Sequence, residues 1–139
     1  MTTQLSGNIV EKKVLIVDDD DDVRLAFRTI ITAAGFTVLD TASPLEALEI
    51  LKREAIPVIF LDLEMPEMDG VELCRQIRKF RAMDCIYALT AYSSIYDVVR
   101  CREAGFDDYF LKPFDADTII GITKNAFARL ERWHQSLRR

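Results

Sequence analysis

The sequence lacks the features that mark several specialised classes of protein. Its three cysteines include no C-x-x-C pair, which predicts free thiols rather than a disulfide framework or a zinc site. Its single histidine, His134, is expected on the surface near the C-terminus. The sequence therefore predicts neither a histidine-based metal centre nor a catalytic Ser-His pair. The apolar run 56–61 is interrupted by Pro57 and is far too short to cross a membrane.

Two further features are missing, a basic signal segment and an excess of positive charge. The start MTTQLSGNIVEKK has no basic residues followed by an apolar core, so we expect no secretory signal and a cytoplasmic location. The net charge of -5 argues against general binding of nucleic acid, because phosphate contacts need clustered Lys and Arg.

The composition is that of one globular domain. Half of the 139 residues are hydrophobic, charged residues are mixed throughout, and no internal repeat or low-complexity tract divides the chain. We predict a flexible N-terminal segment over residues 1–11 and one domain over residues 12–132. Residues 133–139 are expected to form a helical extension or the start of a linker.

Two kinds of segment alternate along the chain. Short apolar runs rich in β-branched residues predict buried strands at 13–17, 36–39, 57–61, 85–89 and 108–111. Helical periodicity follows each of them. Gly35 is predicted to stop the first helix and Gly105 the fourth, and Ser43 with Glu46 is predicted to form a capping box at the start of the second. The third helix spans about 71–80, and the fifth begins near Asp115 and runs past Trp133. Five βα units predict an open, doubly wound parallel sheet with helices on both faces.

Five consecutive aspartates, Asp18 to Asp22, follow the first predicted strand. Two unit charges about 4 Å apart repel by roughly 4 kcal/mol near a protein surface. Either these carboxylates point into water at a helix N-terminus, where negative charge is favoured, or a cation lies among them. We expect both: Asp18 and Asp19 are functional, and the other three are mostly solvated.

Polar side chains also follow the other central strands. They are Asp62 after the third strand, Thr90 after the fourth and Lys112 after the fifth. In open α/β sheets the ligand site lies beyond the carboxyl ends of the strands, so these groups should converge with Asp18 and Asp19. Carboxylate oxygens suit Mg²⁺, and a lysine and a threonine can hold phosphoryl oxygens. The pattern predicts phosphoryl transfer to or from a carboxylate.

Four stretches in this order, VLIVDDDDDVR, FLDLEMPEMDG, LTA and LKPF, make the chain resemble the receiver domain of bacterial two-component response regulators, of the chemotaxis-receiver type. The resemblance implies a flavodoxin-like (βα)5 fold with strand order 2-1-3-4-5. It implies that Asp62 accepts the phosphoryl group and that Mg²⁺ or Mn²⁺ is held by Asp18, Asp19, Asp62 and the Glu64 backbone carbonyl. Thr90 and Lys112 would contact the phosphoryl group, with Tyr109 as the aromatic switch residue.

The same resemblance implies the partners. The donor would be a sensor histidine kinase or a phosphotransfer protein, and the output would pass through the surface of the fourth helix, fifth strand and fifth helix. That surface would act on a downstream effector protein or a missing output domain, with a homodimer on phosphorylation as a further expectation, and with no direct contact to nucleic acid or membrane. The domain would not be an enzyme, although it assists its own phosphorylation and dephosphorylation. Glu64 and Tyr92 would tune dephosphorylation, and bulky Tyr92 predicts a lifetime of minutes or longer.

Two other readings stay open on the sequence alone. One is an aspartate-nucleophile phosphatase of the haloacid dehalogenase type, although such enzymes place D-x-D after the first strand and carry cap insertions. The other is a pseudo-receiver that binds partners without being phosphorylated. Turnover of a generic phosphomonoester would indicate the first, and stoichiometric labelling by acetyl phosphate would indicate a working receiver.

Overall fold

The computed structural model describes residues 11–91 and 95–137, and within these ranges no helix is long and apolar enough to cross a membrane. Apart from Glu11, the predicted flexible segment lies outside the described residues. The strands are β1 (Lys13–Val17), β2 (Thr37–Thr41), β3 (Val58–Asp62), β4 (Cys85–Thr90) and β5 (Asp108–Leu111). The helices are α1 (Asp21–Ala33), α2 (Pro44–Arg53), α3 (Gly70–Arg78), α4 (Ile95–Ala104) and α5 (Ala116–Leu137).

The five strands form one parallel sheet in the order β2-β1-β3-β4-β5, as predicted. Val17 at the end of β1 is level with Thr41 on β2 and with Leu61 on β3. The strand order reverses between β1 and β3, which is where doubly wound sheets bind their ligands. Residues that follow Val17 and Leu61 therefore emerge side by side at this point.

The sheet separates two hydrophobic layers because side chains alternate along each strand. Val14, Ile16 and Phe60 pack with residues of α1 and α5, whereas Leu15 and Leu61 pack with residues of α2, α3 and α4. All five are fully buried, and with β4 they confirm the prediction of strands covered on both faces for the three central strands. The prediction is wrong for the edge strand β5, whose residues are exposed or half-buried, because nothing pairs with its outer side among the described residues.

All three cysteines are buried free thiols, as the sequence predicts. Burial raises the pKa of the Cys74 thiol to about 12. The thiol is therefore protonated at neutral pH and behaves as a small apolar residue of the core.

Two strands begin one residue later than predicted, and three end later: β2 extends to Thr41, β3 to Asp62 and β4 to Thr90. β2 begins at Thr37 rather than Phe36, because the Phe36 N–H donates to the Ile31 carbonyl and closes the end of α1. β3 begins at Val58 and includes Asp62, so the carboxylate predicted to follow the strand is its last residue.

The helix ends follow their predicted signals, with one correction. Gly35 and Gly105 both have positive φ, a conformation that glycine adopts without steric cost. The Ser43 hydroxyl accepts from the Glu46 N–H at 3.2 Å, which confirms the N-cap. The reciprocal half of the capping box is wrong: the Ser43 N–H donates to the Thr41 hydroxyl at 3.1 Å, and that hydroxyl in turn contacts the Glu46 carboxylate.

Candidate functional site

Three carboxylates meet where the strand order reverses. Asp18 follows β1 and is fully buried, Asp62 ends β3 and is 3% exposed, and Asp19 is exposed at the rim. Each offers a carboxylate oxygen, and these oxygens lie within 4.8 Å of one another. The structure therefore brings together the three aspartates that the sequence places at this edge.

The rest of the acidic run has a structural role. Asp20 is the N-cap of α1, and its carboxylate accepts from the backbone N–H groups of Asp22 at 2.8 Å and Val23 at 3.2 Å. Asp21 and Asp22 are exposed in the first turn, where the helix dipole favours negative charge. As predicted, the run divides into two parts: Asp18 and Asp19 belong to the carboxylate cluster, and the three aspartates after them are exposed to solvent.

A lysine that follows β5, Lys112, neutralises part of the negative charge of these aspartates. The Lys112 ammonium lies 2.7 Å from Asp18 Oδ2 and donates to Asp62 Oδ1 at 3.3 Å. Burial works to lower the pKa of Lys112, but contact with Asp18 and the charge of Asp62 outweigh it and raise the pKa. Lys112 is therefore a cation in the site at neutral pH.

The charge on Asp62 is costly in this environment. Burial first, and then the negative charge of Asp18, raise the pKa of Asp62 from 3.8 to about 7. The Glu64 N–H donates to Asp62 Oδ1 at 3.2 Å and, together with Lys112, opposes this shift. Two carboxylates with one lysine leave an uncompensated negative charge in a desolvated position.

The other predicted site residues lie around this cluster. Thr90 ends β4 and is buried, and its backbone carbonyl accepts from the Lys112 N–H at 2.8 Å. Tyr109, on β5, is half-buried and packs against the hydrophobic layer of α2, α3 and α4. The Glu64 side chain is exposed, and Tyr92 lies outside the described residues.

A family model described as the response regulator receiver domain matches residues 14–124, which is most of the chain. The chain belongs to this family. This match argues against the phosphatase alternative, because the family model and the fold are those of a receiver domain.

Relatives of this receiver domain include longer regulators. It is 33% identical over 122 residues to the alkaline phosphatase synthesis transcriptional regulatory protein PhoP of Bacillus subtilis, an alignment that covers 88% of this chain and 51% of that protein. It is 34% identical over 122 residues to the probable transcriptional regulator ycf27 of Porphyridium aerugineum, covering 88% of this chain and 50% of that protein. The chain thus spans about half the length of these curated relatives.

Solved structures share the fold. A CheY-like response regulator receiver domain protein from Methanospirillum hungatei superposes with a TM-score of 0.84 at 28% identity, covering 88% of this chain and 98% of that one. The receiver domain of a signal transduction histidine kinase from Syntrophus aciditrophicus gives a TM-score of 0.80 at 28% identity, covering 87% and 93%. The flavodoxin-like fold and the receiver assignment are therefore confirmed.

The receiver site has the donor set that a small divalent cation requires. Asp18 Oδ2 is buried and forms no hydrogen bond among the described residues, since its contact with Lys112 has the distance of an ion pair without hydrogen-bond angles. The Lys112 ammonium offsets part of the charge at this oxygen, and a cation bound among the aspartates would offset the negative charge that remains. Oxygen ligands from carboxylates fit Mg²⁺ better than softer metals.

Two residues that support the receiver site were missed from the sequence. Arg24 donates to the Asp18 carbonyl at 2.8 Å from the first turns of α1, and its only sequence signal is that it is the first cation after five aspartates. Gly70 begins α3 so close to β3 that a Cβ there would lie 2.2 Å from the Asp62 carbonyl oxygen. Arg24 holds the Asp18 backbone, and the missing Cβ at Gly70 lets the start of α3 lie against the Asp62 backbone.

Proposed function

We propose that this receiver domain accepts a phosphoryl group on Asp62 in a Mg²⁺-dependent reaction. The observation that carries the proposal is the position of Asp62: it is almost fully buried, it shares a cluster within 4.8 Å with Asp18 and Asp19, and Lys112 donates to it at 3.3 Å. A divalent cation with Asp18, Asp19, Asp62 and the Glu64 carbonyl as ligands would supply electrostatic neutralisation of the phosphoryl oxygens.

The residues of the chain have separate tasks in this reaction. One carboxylate oxygen of Asp62 forms a bond to phosphorus as the phosphorus–nitrogen bond of a phosphohistidine breaks, and the imidazole nitrogen keeps the electron pair. Lys112 compensates the charge of Asp62 and can contact a phosphoryl oxygen, since its ammonium already lies between Asp18 and Asp62. Thr90, at the adjacent strand end, would donate its hydroxyl to another phosphoryl oxygen.

Phosphorylation is proposed to change the surface of α4, β5 and α5. Lys112 and Thr90 are joined by a backbone hydrogen bond of 2.8 Å, so a movement of either residue acts on the ends of both β4 and β5. Tyr109 lies on β5 three residues before Lys112 and is the residue proposed to reorient. The negative charge and new acceptor oxygens of the acyl phosphate would shift the equilibrium between two conformations.

Response regulators act with histidine kinases and with output effectors, and we propose the same classes of partner here. The donor would be a sensor histidine kinase or phosphotransfer protein, and the receiver would signal by protein contacts from residues 12–132. A homodimer on phosphorylation and slow hydrolysis tuned by Glu64 and Tyr92 belong to the same proposal. The chain assists the phosphoryl transfer without being a turnover enzyme.

Mass spectrometry of the intact protein tests the proposal. Incubation with acetyl phosphate and Mg²⁺ should add a single phosphoryl group, and chelation of the metal should prevent the addition. Asp62→Asn should remain unlabelled, whereas the matched control Asp22→Asn changes an exposed aspartate in the same site region and should label as the wild type does. Labelling of Asp62→Asn to the wild-type extent would refute the assignment, and absence of any labelling would favour the pseudo-receiver reading.

A further inference from the structure

A single guanidinium joins the elements that surround the acidic cluster. Arg24 Nη1 donates to the Asp18 carbonyl at 2.8 Å, its Nε donates to Asp40 Oδ2 at 3.1 Å, and its Nη2 pairs with the Asp21 carboxylate. The side chain is 16% exposed, so this long cation lies largely within the protein. It connects the end of β1, the end of β2 and the first turn of α1.

These contacts leave Asp18 little freedom to rotate. Its N–H donates to the Thr41 carbonyl at 3.1 Å, its Oδ1 accepts from the Asp20 N–H at 2.9 Å, and its carbonyl accepts from Arg24. Asp18 Oδ2 is the remaining polar atom, and it faces Lys112 within the cluster. The backbone and one carboxylate oxygen are therefore fixed, and the other oxygen is presented to the site.

We propose that Arg24, held by Asp40, is a positioning residue that sets the geometry of Asp18, and of the peptide that joins it to Asp19, for a divalent cation. The inference rests on the proposed function, because it assumes that these aspartates bind Mg²⁺. Groups that orient metal ligands without touching the metal commonly change metal affinity by about 10–100-fold when they are replaced. Arg24 acts in this way through the backbone of a ligand.

The shape of the arginine side chain is needed for this role. Its planar group donates in three directions, to the carbonyl of the residue that follows β1, a carboxylate on β2 and a carboxylate on α1. A lysine keeps the charge but offers one nitrogen, which cannot reach Asp18 and Asp40 with the same geometry. Arg24→Lys therefore separates the effect of geometry from the effect of charge.

Charge alone makes the opposite prediction for metal binding. Arg24 is a cation close to a cation site, so its repulsion weakens Mg²⁺ binding, and removing it should tighten binding if electrostatics were its whole effect. Positioning predicts weaker binding after the same substitution. The sign of the change in Mg²⁺ affinity therefore decides between the two roles.

Calorimetric titration of Mg²⁺ into Arg24→Lys and Arg24→Gln tests the proposal. We expect both variants to bind Mg²⁺ about 10-fold more weakly than the wild type. Arg28→Gln is the matched control, because Arg28 pairs with the same Asp40 carboxylate and has no hydrogen bond to Asp18 among the described residues. It is 52% exposed, and its replacement should change Mg²⁺ affinity by less than about two-fold.

A second measurement separates positioning from general destabilisation. Rates of labelling by acetyl phosphate should fall in Arg24→Lys at limiting Mg²⁺ and approach the wild-type rate at saturating Mg²⁺. Equal or tighter Mg²⁺ binding by the Arg24 variants overturns the proposal, and so does an equal loss in Arg28→Gln. Failure of the wild type itself to bind Mg²⁺ or to gain a phosphoryl group would instead refute the proposed function.

Asp40→Asn provides the test if neither Arg24 variant folds. It removes the carboxylate that holds Arg24 and leaves the guanidinium and the aspartate cluster unchanged. Mg²⁺ binding weaker than that of Arg28→Gln at both low and high ionic strength supports the proposal, because salt screens the direct effect of losing the Asp40 charge. Wild-type affinity in Asp40→Asn overturns it.

Discussion

The Lys112 ammonium lies 2.7 Å from Asp18 Oδ2, a fully buried carboxylate oxygen that forms no hydrogen bond among the described residues. The pair is close enough for strong attraction, and Lys112 also contacts Asp62. Because the site contains more negative than positive charge, the lysine stabilises the folded protein when no metal is bound.

Replacement of this lysine should therefore destabilise the metal-free protein. We expect Lys112→Met to lower the free energy of unfolding by about 3 kcal/mol, because two buried carboxylates would lose their cation. Lys124→Met is the control, since Lys124 is exposed on α5, and it should change stability by less than about 0.5 kcal/mol. Urea unfolding monitored by circular dichroism measures both values. A loss in Lys112→Met no larger than in the control would contradict the ion-pair account.

Removal of the Asp62 charge should have the opposite effect. The pKa of Asp62 is raised from 3.8 to about 7, so its ionised form is less stable in the folded protein than in the unfolded chain. The metal-free wild type should lose stability as pH rises through this window, and Asp62→Asn should lack that loss. At mildly alkaline pH the variant should be more stable by on the order of 2 kcal/mol.

Thermal unfolding in the presence of a chelator checks this expectation. Asp22→Asn removes an exposed charge from the same acidic run and should leave the pH dependence unchanged. The groups that face Asp62 are Asp18 and Asp19 from the β1–α1 loop and Lys112 from beyond β5. If the stabilities of the wild type and Asp62→Asn change with pH in parallel, burial of the ionised Asp62 carboxylate does not lower the stability of the folded protein, and the expectation is wrong.

The convergence of Asp18, Asp62 and Lys112 could be predicted from the sequence because parallel strands place their carboxyl ends at one edge of a sheet. That argument needs only the alternation of apolar strands and helices. The order of the strands required the family resemblance, since periodicity within each strand is unaffected by which strand lies beside it.

The supporting contacts could not be predicted in the same way. Arg24 reaches Asp40 only because β1 and β2 pair with Val17 level with Thr41. The capping box at Ser43 failed because β2 extends to Thr41, whose hydroxyl takes the Ser43 N–H. The first contact depends on the register between β1 and β2, and the second on where β2 ends, and the sequence pattern placed neither correctly.

Gly70 should be intolerant of even the smallest side chain. A Cβ at this position would lie 2.2 Å from the Asp62 carbonyl oxygen and 2.9 Å from Leu63 Cα, and both are backbone atoms that cannot move independently. We expect Gly70→Ala to lower stability by about 2 kcal/mol or more and to slow labelling of Asp62 by acetyl phosphate.

Gly121→Ala is the matched control for this substitution. Gly121 lies inside α5, and a Cβ there would meet nothing within 4 Å. Alanine favours the helix, so this variant should gain up to about 1 kcal/mol and label normally. Chemical denaturation and labelling of the two variants, measured side by side, check both values. Comparable stability of Gly70→Ala and Gly121→Ala would contradict the close approach of α3 to β3.

The last turns of α5 offer a different kind of test. Leu130 is the last buried residue of the helix, whereas Trp133 is 55% exposed and Leu137 is 76% exposed. Truncation after Leu130 should therefore change the free energy of unfolding by less than about 1 kcal/mol, since little apolar surface leaves the core.

The same truncation tests the predicted homodimer. Trp133 and Leu137 are four residues apart and lie on one side of α5, so they form an apolar strip that a second copy could cover. If the dimer forms through this strip, the phosphorylated full chain should sediment as a dimer and the truncated chain as a monomer. Trp133→Ala is the milder variant and should weaken the dimer without altering labelling of Asp62, because Trp133 is exposed and lies about four turns along α5 from the end of the helix nearest Lys112. Monomeric sedimentation of the phosphorylated full chain would instead indicate that α5 signals through a different partner.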